Sequence, residues 1–325
     1  MGLPGRGVSQ ERIVGAVTLM IFGYFSLFVE GFFTSSNIEA LLQNVSVLGM
    51  LGIAMVLTVL GRGIDLSIVA TMAVSVAWFL QQLSLGVSLG QALSVALVFA
   101  LAVGLINGVL IAFVEIPAIF TTLAMGSVVY GFGKYFMVTA DVIYLPENWK
   151  WLSVAVTARP LGIPVPVAIF AATAMLAYIF LNYVRQGRFV YATGENPVAA
   201  RTTGVPVRTL IILQYMLSSV VALFAGLLMS MLVVSMNTRI VSSTLVYDVI
   251  LVVVLGGVSL SGGKGGVLSV VMGTLLIGVL LNGMTLLDLN YTIQNVIKAL
   301  ILLGALMLDT LANPRDEQTA QQGDI

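Results

Sequence analysis

The sequence predicts an all-α integral membrane protein of about ten transmembrane helices, with N- and C-termini in the cytoplasm. Three observations carry that prediction. Of the 325 residues, 59% are hydrophobic and 9% are Asp, Glu, Lys or Arg, against roughly 25% charged in an ordinary soluble domain. So little charge cannot cover a water-facing surface, which excludes a soluble enzyme, a disordered regulator and a coiled coil. The apolar residues fall in charge-bounded runs, most near the ~20 residues that cross a bilayer. The basic residues gather in a few of the intervening segments, which sets an orientation.

The spans follow in order. Arg12 to Glu30 encloses the first and Glu39 to Arg62 the second. Asp65 to Glu115 encloses 49 uncharged residues, about two crossings at ~20 each, turning in the Gly- and Ser-rich stretch Leu83 to Gly90. Glu115 to Lys134 holds the fifth, its start fixed by Pro117, and Arg159 to Arg185 the sixth. Arg208 to Arg239 encloses 30 residues, enough to tilt or to project into water. Asp248 to Lys264 is short, with 15 residues between the charges. Lys264 to Asp288 has normal length, and the last span runs from about Tyr291 to Leu308 with Lys298 inside it.

Arg185, Arg188, Arg201 and Arg208 stand against Glu195 in one block, and Arg6 and Arg12 precede the first span. With both regions cytoplasmic, an even number of spans lies between them. Residues 1–12 are then a cytoplasmic N-terminus, 13–312 a single transmembrane domain with a cytoplasmic loop at 185–208, and 313–325 a cytoplasmic tail. Residues 138–164, with Trp149, Trp151 and three prolines, fall outside. The N-terminus is too weakly cationic to read as a cleaved signal peptide.

The chain has no Cys and no His, which removes disulfides, thiolate chemistry and the commonest proton-transfer and metal-binding side chain. No metal site or cofactor is expected in this chain. A net charge of zero indicates no nucleic-acid partner, only membrane lipid.

Within the basic block, Thr193-Gly194-Glu195-Asn196-Pro197 reads as a turn into a helix, with Asn196 as cap and Pro197 in the first turn. Val198 to Thr203 forms a short helix ended by Gly204. So short a capped helix, carrying Ala199, Ala200 and Arg201 between two spans, suits insertion into a groove on another protein. The bland alternative is an ordinary positive loop. Gly256 to Gly265 invites a phosphate-loop reading and fails it, because Val258 and Gly265 stand where a Gly and a Ser or Thr are required. A non-helical bend is expected there, tolerated only inside protein or beside a cavity. Ser259 and Ser261 then either face a translocation path or bond to backbone.

Asp65 either caps the helix that starts near Ser67 or serves function at membrane depth, and capping is favoured. Asn107 and Asn282 either contact a polar solute or bridge helices, and bridging is favoured. Lys134 and Lys298 are expected to snorkel. Leu60 to Ser67 and Val254 to Ser261 echo each other, as do Gly104 to Gly108 and Gly278 to Gly283, which duplication or chance explains equally.

Gly187-Arg188-Phe189-Val190-Tyr191-Ala192-Thr193-Gly194-Glu195-Asn196-Pro197-Val198-Ala199-Ala200-Arg201, with Gly204 after it, resembles the coupling-loop motif of the ribose-type monosaccharide ABC importer permeases. Leu255 to Gly263 resembles a second segment of that family, with Val258 for the usual Thr. Gly61 to Ser67 resembles a third, with Arg62 where a small residue is common. Ile116 to Leu123 matches loosely. The resemblance covers roughly Val45 to Leu311. It implies the transmembrane subunit of an importer of a monosaccharide or related polyol in the bacterial inner membrane. It also implies pairing with a second permease subunit, alike or different, a cytoplasmic two-domain ATPase that binds ATP and Mg, and a periplasmic sugar-binding protein. Residues 196–203 would be the coupling helix, with Gly194, Glu195, Asn196, Pro197, Ala199, Ala200, Arg201 and Gly204 facing the ATPase. Asp65, Ser67, Asn107, Ser259, Ser261 and Asn282 are the candidates for the translocation path. This chain would carry no catalytic residue. The competing classes are an ion-driven secondary transporter of a small polar solute, which usually needs buried acids or His, and an intramembrane enzyme, for which no spacing is found.

Overall fold

A computed structural model describes residues 10–312. The expectations for residues 1–9 and for the tail 313–325 lie outside the described residues. The helices are α1 (Gln10–Phe28), α2 (Ser35–Val59), α3 (Ile68–Ser84), α4 (Leu89–Ala112), α5 (Ala118–Phe132), α6 (Lys150–Thr157), α7 (Val165–Tyr183), α8 (Arg185–Glu195), α9 (Pro197–Thr202), α10 (Val207–Val233), α11 (Leu245–Gly256), α12 (Val267–Leu286) and α13 (Tyr291–Ala312). Among the described residues α1, α2, α4, α7, α10 and α12 are long and apolar enough to cross a membrane, while α3, α11 and α13 are shorter apolar helices. A π-helical turn, Gly133–Met137, extends α5. Together they reach about 30 Å at ~1.5 Å per residue.

Local chemistry sets the boundaries. Thr34 and Ser88 accept from backbone N–H groups in the first turns of α2 and α4, and Pro117 precedes α5. These partners matter because the first N–H groups of a helix have none of their own. The turn expected within 83–90 lies between α3 and α4.

The run from Arg208 to Arg239 holds more residues than α10 uses. Val234 takes a left-handed conformation (φ 55°) after α10, and the chain enters a strand, β2 (Ser235–Asn237). It pairs antiparallel with β1 (Val142–Tyr144), Ile143 opposite Met236. The surplus length therefore makes a strand rather than a tilted or protruding helix. Beside the strands, Lys134 Nζ donates to Asp141 at 2.6 Å and Arg239 Nε at 2.7 Å. The Lys134 hydrogen bond is the main reason that the Asp141 carboxyl lies below the usual carboxylate range.

α2 is the axis of the bundle, with every residue from Leu48 to Val59 buried. It packs against α7, α10, α11 and α12, and α10 also packs along α3 and α4. The α4–α10 contact depends on small residues. A Cβ on Gly104 would lie 2.6 Å from the Tyr215 carbonyl oxygen and 2.7 Å from Met216 Cα. In a bilayer, such backbone approach supplies the dispersion energy that joins helices.

Gly104→Leu is expected to lower stability by about 1–3 kcal/mol or more, as overpacking does. Gly131→Ala on α5, where a Cβ meets nothing within 4 Å, should be neutral or slightly stabilising. Thermal unfolding in detergent separates the two, and equal melting would refute the close α4–α10 contact.

Candidate functional site

Three irregular segments meet at one end of the bundle: the α2–α3 loop, the α8–α9 junction and the α11–α12 loop. The Gly263 N–H donates to the Leu60 carbonyl at 2.9 Å. Arg62 donates from Nε to the Gly194 carbonyl and from Nη2 to the Glu195 carbonyl, each at 2.8 Å. Tyr191 Oη donates to the Gly265 carbonyl at 3.0 Å, and burial raises the phenol pKa. Gly194 has no room for a side chain, since a Cβ there would strike the Leu60 carbonyl and lie 2.4 Å from Gly263 N. Arg62 holds its place at φ 68°, a left-handed conformation that costs a non-glycine residue about 1–2 kcal/mol.

α8 and α9 project from this interlock. Thr193, Gly194 and Glu195, read from sequence as a turn, are instead the last residues of α8. The chain breaks only at Asn196, whose side chain accepts from Ala199 N at 2.9 Å, and Pro197 opens α9. Gly194 suggested a turn, yet its missing side chain serves close approach. Val198, Ala199 and Arg201 are exposed, whereas Ala200 is buried at 5% and faces the protein. Gly204 (φ 83°) follows the helix.

Beside the interlock lies a buried polar cluster. Asp65 accepts from Ser67 N at 3.1 Å and Ser67 Oγ at 2.6 Å through Oδ1, and from Ser218 Oγ at 3.0 Å through Oδ2. Asn107 Nδ2 donates to Ser67 Oγ at 2.9 Å. Thr122 Oγ1 accepts from Leu66 N at 3.0 Å and shares its proton between the Ala118 carbonyl at 2.8 Å and the Ile64 carbonyl at 3.0 Å. Asp65, Ser67, Asn107 and Ser218 are wholly buried. Asp65 thus pins an Asx turn before α3 and reaches α10 through Ser218, while Ser67 reaches α4 through Asn107 and Thr122 ties α5 to the same loop. Ser259 is buried, and its Oγ accepts from Ser261 N at 3.3 Å within the α11–α12 loop.

The opposite end of the bundle holds two cavities, of about 540 and 440 Å³, within the ~300–1,000 Å³ usual for small-molecule sites. Gln43, Asn44 and Asn282 line the larger, and Thr244 and Asp248 line both. Asn282 exchanges amide hydrogen bonds with Asn37 at 2.9 and 2.8 Å. Lys298 lies 2.7 Å from Asp248 Oδ1 and donates to Oδ2 at 3.0 Å and to Thr244 Oγ1 at 3.2 Å. Expected to snorkel, Lys298 is instead 7% exposed, because a carboxylate at the start of α11 waits for it inside the bundle. Asp65, Ser67, Asn107, Ser259 and Ser261 line neither cavity. Asn107 and Asn282, matched in the sequence echo, lie at opposite ends. The two echoing loops lie at the same end and touch.

Irregular loops bonded together at one end of a bundle of apolar helices, with mostly apolar cavities carrying a few amide, hydroxyl and ionic groups at the other, suit a membrane protein. Residues 37–308 match the family described as Branched-chain amino acid transport system / permease component. The chain is 32% identical over 295 residues to the ribose import permease RbsC of Escherichia coli, across 90% of this chain and 91% of that protein. It is 31% identical over 305 residues to RbsC of Bacillus subtilis, across 93% and 94%. It is 32% identical over 295 residues to the L-arabinose transport system permease AraH of Escherichia coli, across 90% and 88%. No solved structure matches it. The chain belongs to this permease family, among the ribose-type sugar ABC permeases, and is a multi-pass protein of the bacterial inner membrane.

Lys298→Met alone leaves Asp248 buried without its cation and should cost about 3–5 kcal/mol, whereas Asp248→Leu with Lys298→Met should recover most of that loss. Thermal unfolding of the purified variants checks this. A double variant as unstable as the single one would mean that the pair is not a self-contained ionic contact.

Proposed function

We propose that this chain is the transmembrane subunit of an ABC importer for a monosaccharide or related polyol, driven by a separate ATPase through α8 and α9. The observation that carries this is the α8–α9 element itself. A two-helix projection presents exposed Val198, Ala199 and Arg201 while its root is bonded to the loops between spans. A surface built that way receives force from a partner and passes it inward.

α1–α5, α7 and α10–α13 then make ten crossings, with both termini and the α8–α9 element in the cytoplasm. Charge supports this orientation. At the strand end Lys134, Lys150, Arg159 and Arg239 are each paired with an acid. At the α8–α9 end stand Arg62, Arg185, Arg188, Arg201, Arg208 and Lys264, more basic residues than at the strand end, which suits a cytoplasmic face. The cavities near Asp248 and Asn282 then lie toward the outside. Amide, hydroxyl and balanced ionic groups suit an uncharged polyhydroxylated solute better than a lone ion. The relatives named for ribose and arabinose import support the same substrate class.

The test is gentle purification from the native membrane, identification of partners by mass spectrometry, and uptake of D-ribose, L-arabinose and L-leucine into liposomes. Recovery of an ATPase and ATP-dependent sugar uptake are expected. Ion-driven uptake by the chain alone would overturn the proposal in favour of a secondary transporter, and preference for L-leucine would overturn the substrate class. Val198→Arg with Ala199→Arg should abolish substrate-stimulated ATP hydrolysis without unfolding the chain, because both side chains are exposed. Ala200 is a poor probe, since an Arg there would have to be buried.

A further inference from the structure

We infer that Arg62 is the positioning residue that joins the α8–α9 element to the loops behind it, so that all three move as one body. This rests on the proposed coupling role of α8 and α9 and specifies how their displacement enters the bundle. Four observations combine. The guanidinium spans the Gly194 and Glu195 carbonyls at 2.8 Å each, a forked contact that a lysine ammonium cannot copy. The same α2–α3 loop accepts the Gly263 N–H through Leu60 at 2.9 Å, which brings in the α11–α12 loop. Arg62 keeps a left-handed backbone that Gly would adopt without strain. The helices leaving these loops reach the larger cavity: α2 carries Gln43 and Asn44, α11 carries Asp248 and α12 carries Asn282. A shift of the interlock as a unit therefore acts on three walls of that cavity.

The left-handed backbone provides the means of testing this. Arg62→Gly relieves strain while removing the clamp, so folding and coupling should part company. The experiment uses the importer purified with its own ATPase and binding protein, and reads binding-protein-stimulated ATP hydrolysis and thermal stability. Arg62→Gly trades the relieved strain against two lost hydrogen bonds and should stay folded with melting close to the wild type, yet lose stimulation roughly tenfold or more, within the range of ordinary coupling free energies. Arg62→Lys should fall between the two. Because the chain has no cysteine, Arg62→Cys with Glu195→Cys supplies a single thiol pair. That variant should be uncoupled when reduced and recover stimulation when joined by a short bifunctional thiol reagent. Full stimulation in Arg62→Gly, or no recovery on cross-linking, would overturn the inference while leaving the importer assignment standing. Absence of any ATPase from the purified complex would overturn both.

Discussion

A bilayer supplies no hydrogen-bond partner to a bare peptide group, and the interlock at one end of this bundle answers that constraint. A 12-residue α11 rises only ~18 Å, well short of a ~30 Å hydrocarbon core. The backbone that follows it is irregular, so its polar groups must be met by protein. Leu60 meets Gly263, Lys264 meets Ser259, and Tyr191 meets Gly265. The α8–α9 root completes the set by lending its Gly194 and Glu195 carbonyls to Arg62. A segment fixed by the need to satisfy the backbone is thereby placed against the part of the chain that faces the cytoplasm in the proposed topology.

The same economy governs the buried charges. Asp65 is wholly buried and is held by two hydroxyls and one backbone N–H. It ties the α2–α3 loop to α10 through Ser218, and Ser67 carries the tie on to α4 through Asn107. Asp248 and Lys298 neutralise each other with Thr244 between helices, on the wall shared by the two cavities. A purely apolar contact would hold α11 to α13 equally well or better. Stability alone therefore gives little reason for the pair.

Much of this was legible in the sequence because the signals are local. Runs between charges located the apolar helices, Pro117 fixed the start of α5, and Asn196 with Pro197 marked α9. The family resemblance read from Gly187–Arg201 and the Leu255 segment agrees with the comparisons. What escaped was non-local or double-edged. Lys298 finds Asp248 fifty positions away, and nothing in either neighbourhood announces the pairing. Val142–Tyr144 and Ser235–Asn237 are too short to signal strands alone. Gly194 looked like a turn because Gly supplies both turns and close contacts, and only the Leu60 carbonyl beside it decides between them. Arg62 registered as a departure from a family pattern, but its partners lie more than 130 residues on.

The two ends of the bundle are joined by the element least able to absorb a displacement. α2 is buried on every side from Leu48 to Val59, and a close-packed interior transmits strain instead of dissipating it. A soft helix would bend between Arg62 and Asn44. α2 cannot bend without displacing Phe170 at Gly49 or Val252 and Val270 at Gly52, whose side chains already occupy the space that a Cβ would take. Under the proposed coupling role, a displacement of the interlock would move whole helices past one another, the discrete kind of rearrangement that packed bundles allow. Small residues at these crossings have a double consequence. They let the helices approach closely enough to be stiff, and they open the hollows that Phe170, Val252 and Val270 fill.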